Sequence, residues 1–272
     1  MVRRSYKSLA ESEPVLIKSF LAVILLGITA LCQAAVRTET VIYKDGGTVL
    51  EGFIAYEETM SSKRPGILIV HQWKGISDHE RGIATRLAAM GYVAFCADIY
   101  GEGVRPTAMK EAAAQAGLYR GNRTLFRSRL NAGLAELKKS LMVDDTRTVA
   151  IGYCFGGTGV LELARSGADV KGVVSFHGGL DSPSPADGAN IKAKVLIHHG
   201  ADDPVVKKED LDACLKELAD AKVDYQFISY GGAVHSFTDK EAKSDSSRHE
   251  EKADRRSWAI TQHFLGEVVG AK

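Results

Sequence analysis

The run Thr148-Val-Ala-Ile-Gly152-Tyr-Cys154-Phe-Gly156-Gly157 carries a short apolar strand into a cysteine flanked by glycines, and the helix-like Val160-Leu-Glu-Leu-Ala164 follows at once. A strand that turns so sharply into a helix crowds the backbone at its apex, so the flanking positions must lack a Cβ. The pattern reads as a nucleophile elbow with sulfur where most such turns carry a serine hydroxyl. Cys154 is then expected at a helix N-terminus, where the partial positive charge of free N–H groups favours a thiolate.

Outward from this elbow the chain alternates between strand and helix patterns. Residues 39–44 and 49–56 flank Asp45-Gly46-Gly47, a hairpin signal. Apolar runs at 66–71 and 92–97 enclose a helical spacing over 79–90, and further helical stretches occupy 107–119 and 124–141. Beyond the elbow, strands at 170–176, 193–199 and 224–230 are joined by a helix at 207–221 and followed by one at 253–264. This alternation predicts a mainly parallel, twisted sheet with helices on both faces and the opening hairpin as an antiparallel edge. No repeat or linker interrupts 35–272, so one α/β domain is expected there. The charged run 239–256 reads as a solvated loop and the start of a helix.

The chain has 272 residues and a net charge of +1, with no basic excess that would suggest nucleic acid. Its opening has the form of an export signal. Arg3, Arg4, Lys7 and Lys18 precede an apolar run at 20–31, and Cys32-Gln33-Ala34 provides a cleavage-like exit. Residues 1–34 are therefore expected to be removed, leaving a periplasmic or secreted domain; a start at Val15 would give the leader a more usual length. The run 20–31 is shorter than the roughly 17 to 25 residues of a membrane-spanning helix, so no permanent anchor is expected. Loss of the leader takes four basic and two acidic residues with it, and the net charge goes from +1 to −1. Cys96, Cys154 and Cys214 remain, an odd number without short spacing, which is not a disulfide framework.

Ligands of open parallel sheets bind beyond the carboxyl ends of the strands. Those ends deliver Cys154, then Gly200-Ala-Asp202-Asp203-Pro204, then Gly231-Gly-Ala-Val-His235-Ser236-Phe237. Nucleophile, acid, histidine is the chain order of the α/β-hydrolases. In such a set the thiolate of Cys154 attacks a carbonyl, His235 shares its proton and later protonates the leaving group, and an aspartate fixes the imidazole tautomer. Asp203 is preferred for the last role because it precedes Pro204 at the turn, with Asp202 as its rival. Backbone N–H groups of Phe155 and of the loop after His71 are expected to hold the oxyanion. His71, His177, His198 and His199 also stand at strand ends. They lack metal-ligand spacing, and His198 and His199 point to opposite faces of a strand, so no metal site is expected. His177 is the one of these four with a claim to line the pocket.

These motifs resemble the dienelactone hydrolase family, over about residues 66–264. The similarity rests on Gly152-Tyr-Cys-Phe-Gly-Gly157, Gly200-Ala-Asp-Asp203, His235-Ser-Phe237, and His71-Gln-Trp-Lys-Gly75 with Gly91-Tyr92 and Asp98-Ile-Tyr100 downstream. The resemblance implies an α/β-hydrolase fold, Cys154, Asp203 and His235 as the triad, Trp73 and Phe155 as oxyanion donors, and cleavage of esters or lactones without a cofactor. It also implies a small-molecule substrate and a monomer or small homo-oligomer. Two positions depart from the family pattern. Gln72 stands where its well-known members have a glutamate that helps to generate the thiolate, and Asp239 stands where dienelactone-cleaving members have an arginine for the substrate carboxylate. Arg120 or Arg123 would have to supply that cation. A neutral ester or lactone is therefore the expected substrate. A hydrolase-fold binding protein with little turnover, and a thioesterase or acyl transferase, are the alternatives.

Overall fold

A computed structural model describes residues 35–270, so the leader read over 1–34 lies outside the described residues. The elements run β1 (Val36–Asp45), β2 (Thr48–Glu57), β3 (Arg64–Val70), α1 (Asp78–Ala89), β4 (Val93–Ala97), α2 (Met109–Gly121) and α3 (Arg123–Lys139). They continue with β5 (Val143–Tyr153), α4 (Phe155–Arg165), β6 (Gly172–Phe176), β7 (Lys194–Gly200), α5 (Lys208–Asp220), β8 (Tyr225–Tyr230) and α6 (Glu251–Leu265). All eight strands join one sheet in the order β1-β2-β4-β3-β5-β6-β7-β8. β1 pairs antiparallel with β2, and β2 antiparallel with β4; every other neighbour is parallel. This is the expected α/β-hydrolase architecture with its antiparallel edge.

Successive side chains of a strand point to opposite faces, so a strand buried on both faces reads as a continuous apolar run. In β3, Leu68 and Val70 enter one core while Ile67 and Ile69 enter the other. β4 divides in the same way, with Val93, Phe95 and Ala97 opposed to Ala94 and Cys96. The first core is closed by α2, α3, α4 and α5, whose contributions include Tyr119, Leu130, Leu161 and Leu218. The second is closed by α1 and α6 through Leu87, Trp258 and Phe264. α4 is buried along its whole length, which matches its lack of a polar face up to Arg165 apart from Thr158 and Glu162. Glu162 and Arg165 are paired at 2.9 Å, and Arg165 also meets Glu217 at 2.7 Å, so these buried charges are compensated.

β5 begins at Val143, well before the expected 148. Arg64 and Pro65 pair with Val143 and Asp144, and the register then jumps to Gly66 opposite Thr148. Residues 145–147, between these pairings, are an irregular part of the strand in which the Thr146 N–H donates to Asp144 Oδ1 at 3.1 Å, a polar insertion that conceals the strand from a hydrophobic pattern. The charged stretch after residue 239 also does more than meet solvent. Arg248 N–H donates to the His235 carbonyl at 3.1 Å and Glu250 N–H to the Phe237 carbonyl at 3.0 Å, which ties the loop after β8 to the start of α6.

Candidate active site

The parallel strands bring the loops after β3, β5, β6, β7 and β8 to one edge of the sheet, and the elbow is the tightest of them. Cys154 has φ 52° and ψ −110°, a backbone conformation that side-chain-bearing residues rarely adopt. A Cβ on Gly152 would lie 2.0 Å from the Gly156 carbonyl oxygen, and one on Gly156 would lie 2.1 Å from that of Val70. Contact with backbone leaves no room for relaxation, so glycine is required at both positions. The Cys154 N–H donates to the Phe176 carbonyl at 3.0 Å, which holds the apex against β6.

Three side chains that the sequence singled out meet here. His235 Nε2 lies 3.1 Å from Cys154 Sγ, and its Nδ1 lies 2.8 Å from Asp203 Oδ2. Asp203 is oriented by its other oxygen, which accepts the Val205 N–H at 2.8 Å. Asp202, the rival acid, is exposed, and Asp203 is the one in contact with His235. Cys154, Asp203 and His235 are each less than a tenth exposed, so their charges interact in surroundings poorer in water than the surface.

Burial opposes every charge in this chain of contacts, and the partners outweigh it. For Cys154, burial pushes the thiol up, but the hydrogen bond and charge of His235 pull it down, helped by the charge of Arg120 and the Phe155 N–H; the net shift is downward. For His235, burial pushes down, but Asp203 and Cys154 raise the imidazole to about 10. Asp203 is likewise lowered against its burial, chiefly by His235. These contacts favour the charged thiolate and imidazolium over the neutral pair. Arg120, on α2, lies with its guanidinium 5.9 Å from the centre of the Phe155 ring. Arg123 instead pairs with Asp181.

The Trp73 N–H has no hydrogen-bond partner among the described residues, and the Phe155 N–H faces the Cys154 sulfur. On the Trp73 side opens a cleft of about 600 Å³ whose wall includes Gln72, Trp73, Met109, Ser236, Asp239 and Lys243; Cys154, Phe155 and His235 do not line it. His177, expected to line the pocket, is fully buried and does not border this cleft. Its ring packs edge-on to His235 with centroids 5.4 Å apart, and its Nε2 lies 2.8 Å from Thr238 Oγ1. Its backbone has a φ of 39°, in the left-handed region. His198 is also structural, held between Thr261 Oγ1 and Tyr230 OH at 3.0 and 2.9 Å and pushed down to about 3 by burial.

A family model described as the dienelactone hydrolase family matches residues 50–269. The chain belongs to that family. Among solved structures, one named m3DLH is 38% identical with a TM-score of 0.84, covering 86% of this chain and 99% of that one. A dienelactone hydrolase-like promiscuous phosphotriesterase from metagenomic libraries is 36% identical with a TM-score of 0.84, covering 87% of this chain and all of its own (100%). A protein of Bradyrhizobium named as a probable 2-oxo-3-(5-oxofuran-2-ylidene)propanoate lactonase is 26% identical over 213 residues, 74% of this chain and 86% of that protein. Membership makes this chain a hydrolase of the ester- and lactone-cleaving class.

The two departures from the family pattern turn out to be neighbours. Gln72 Nε2 donates to Asp239 Oδ2 at 3.3 Å, across 167 positions of sequence. Sequence reading overlooked Glu80, whose buried carboxylate accepts the Gln72 N–H at 3.1 Å and the Ser77 N–H at 2.8 Å. Its signal was present as Ser77-x-x-Glu80, a capping box at the start of α1. Among the described residues no group of histidine, cysteine and carboxylate side chains is arranged to hold a metal, and no helix is long and apolar enough to cross a membrane.

Proposed function

We propose that this chain is a cysteine-dependent hydrolase of neutral carboxylic esters or lactones that works through an acyl-enzyme. The observation that carries the reading is the contact chain from Cys154 Sγ through His235 to Asp203, at 3.1 and 2.8 Å. The Cys154 thiolate attacks the substrate carbonyl carbon, and the carbonyl electron pair moves to oxygen, where the Trp73 and Phe155 N–H groups stabilise it. Collapse breaks the ester C–O bond, and the His235 imidazolium gives its Nε2 proton to the departing alkoxide. Neutral His235 then takes a proton from water as that water attacks the thioester. Collapse of the second tetrahedral species releases the carboxylic acid and returns the thiolate beside an imidazolium. Asp203 keeps the imidazole oriented through both halves.

Asp239 on the cleft wall disfavours a substrate carboxylate there, which supports neutral esters and lactones over dienelactone. Arg120 adds positive potential on the thiol side, where negative charge develops. The leader-like residues 1–34 support an exported protein. The test is a panel of small aryl esters and lactones, with a phosphotriester included, on wild type beside Cys154→Ala, with mass spectrometry for an acyl adduct on Cys154. Burst kinetics and the adduct are expected in wild type alone. Equal rates in both proteins refute the reading, and an adduct that forms without turnover supports instead the binding protein suggested by the Gln72 and Asp239 pair. Capture of the acyl group by an added thiol or amine in place of water would indicate a transferase.

A further inference from the structure

Of the two oxyanion donors, the Phe155 N–H is fixed by the start of α4, whereas the Trp73 N–H belongs to a loop outside any helix or strand. An oxyanion donor is effective only when its direction is set before the reaction. The peptide unit joining Gln72 and Trp73 is planar, and in a trans peptide the C=O and N–H point in opposite directions, so whatever holds the Gln72 carbonyl also aims the Trp73 N–H.

That carbonyl oxygen lies 2.6 Å from His71 Nδ1 and also accepts the Gly75 N–H at 3.2 Å. The other ring nitrogen, Nε2, accepts the Ile99 N–H at 3.2 Å. A nitrogen that accepts carries no proton, so in the neutral ring the proton resides on Nδ1 and is donated to Gln72. His71 is fully buried, its ring edge-on to Tyr100 at 4.7 Å and stacked on Phe155 at 5.8 Å between centroids. Burial holds it neutral by lowering it from its ordinary value. The neighbouring groups are fastened as well, with the Gln72 N–H on Glu80 Oε1 at 3.1 Å and the Trp73 carbonyl on the Tyr100 hydroxyl at 2.9 Å.

We propose that His71 is a positioning residue for the oxyanion hole: its Nδ1–H holds the Gln72 carbonyl so that the Trp73 N–H faces the reacting carbonyl oxygen. The inference rests on the hydrolase reading above. It separates two functions of the site, because alkylation of a thiolate by iodoacetamide builds no oxyanion, whereas ester cleavage does.

Two variants divide the two ring nitrogens. In His71→Asn the amide nitrogen takes the place of Nδ1 and can still donate to Gln72, while in His71→Gln the amide group takes the place of Nε2 and keeps the Ile99 contact alone. His71→Gln is expected to lower kcat on an aryl ester by about tenfold or more, approaching the loss of an oxyanion donor, with KM and the Cys154 alkylation rate within about twofold of wild type. His71→Asn is expected to recover most of the lost turnover. An equal fall of alkylation and turnover in His71→Gln, unchanged turnover in that variant, or a His71→Asn no better than His71→Gln would each overturn the assignment. A wild-type protein without Cys154-dependent cleavage refutes the hydrolase reading along with it, whereas an active wild type matched by His71→Gln refutes the role of His71 alone.

Discussion

Replacing His235 by glutamine removes the ring whose hydrogen bond and charge lower the Cys154 thiol, and the size of the effect follows from the contacts. His235 is raised from 6.5 to about 10, which corresponds to about 5 kcal/mol in favour of the protonated ring. Part of that stabilisation is shared with the thiolate 3.1 Å away. Because the ring is protonated below about 10 and neutral above it, its charge is present throughout the neutral range, and the wild-type alkylation rate there should exceed that of an ordinary thiol. In His235→Gln the largest lowering contacts are gone, leaving only Arg120 and the Phe155 N–H against burial, which raises the thiol. A thiol with an ordinary pKa of about 8.5 is only ~3% ionised at pH 7, so the reactive fraction can fall by up to about 30-fold. A more basic thiolate is the better nucleophile, which recovers part of this and leaves a loss of about tenfold or more. The assay is pseudo-first-order inactivation by iodoacetamide from pH 5 to 11, with mass spectrometry to locate the adduct. Cys96 and Cys214 are almost fully buried, and burial raises both thiols, so Cys154 should carry the native-state label. A pH profile for His235→Gln that superimposes on wild type would refute the ion-pair argument.

Two further perturbations test the surroundings of the site. Gln72→Glu alone sets a carboxylate against Asp239 where 3.3 Å now separates donor and acceptor, so one of the two must be pushed up, and stability is lost as pH rises through the raised value. A shift of about one unit is about 1.4 kcal/mol, or a further drop in melting temperature of about 3–6 °C at pH 8 relative to pH 5. Adding Asp239→Arg should remove that penalty and raise thiol reactivity; a single variant that melts like wild type at both pH values would count against the contact. Gly156→Ala drives a methyl to within 2.1 Å of the Val70 carbonyl oxygen and is expected to cost more than about 4 kcal/mol. Gly117→Ala, on α2 with nothing within 4 Å of its Cβ, should stabilise by about 1 kcal/mol. Denaturant unfolding of the two compares them directly, and equal midpoints would refute the steric account of the elbow.

Much of the architecture was legible because its causes are local. Period-two burial is written into β3 and β4 as continuous apolar runs, and helical spacing into α1 and α3. The start of β5 was not, since the polar residues Asp144 to Arg147 break the apolar run and Val143 joins the sheet only because Arg64 and Pro65 lie alongside. At the site, the elbow and the order Cys154, Asp203, His235 could be read from strand ends. His177 could not be placed, because whether a histidine after a strand faces a cleft or the interior depends on the loop packed over it.

By itself, the sequence determined the parallel α/β frame, the cysteine elbow and the three side chains whose contacts now form one line. Steric demand at Gly152 and Gly156 and the periodicity of buried strands are short-range properties, carried by neighbouring residues wherever the chain lies. Tertiary structure decided between Asp202 and Asp203, brought Gln72 against Asp239, and set His71 under the carbonyl of Gln72. It also decided in which direction Cys154 and His235 are shifted, because a pKa in a buried site depends on which partners stand within a few ångströms, and those partners come from segments that only the completed sheet brings together.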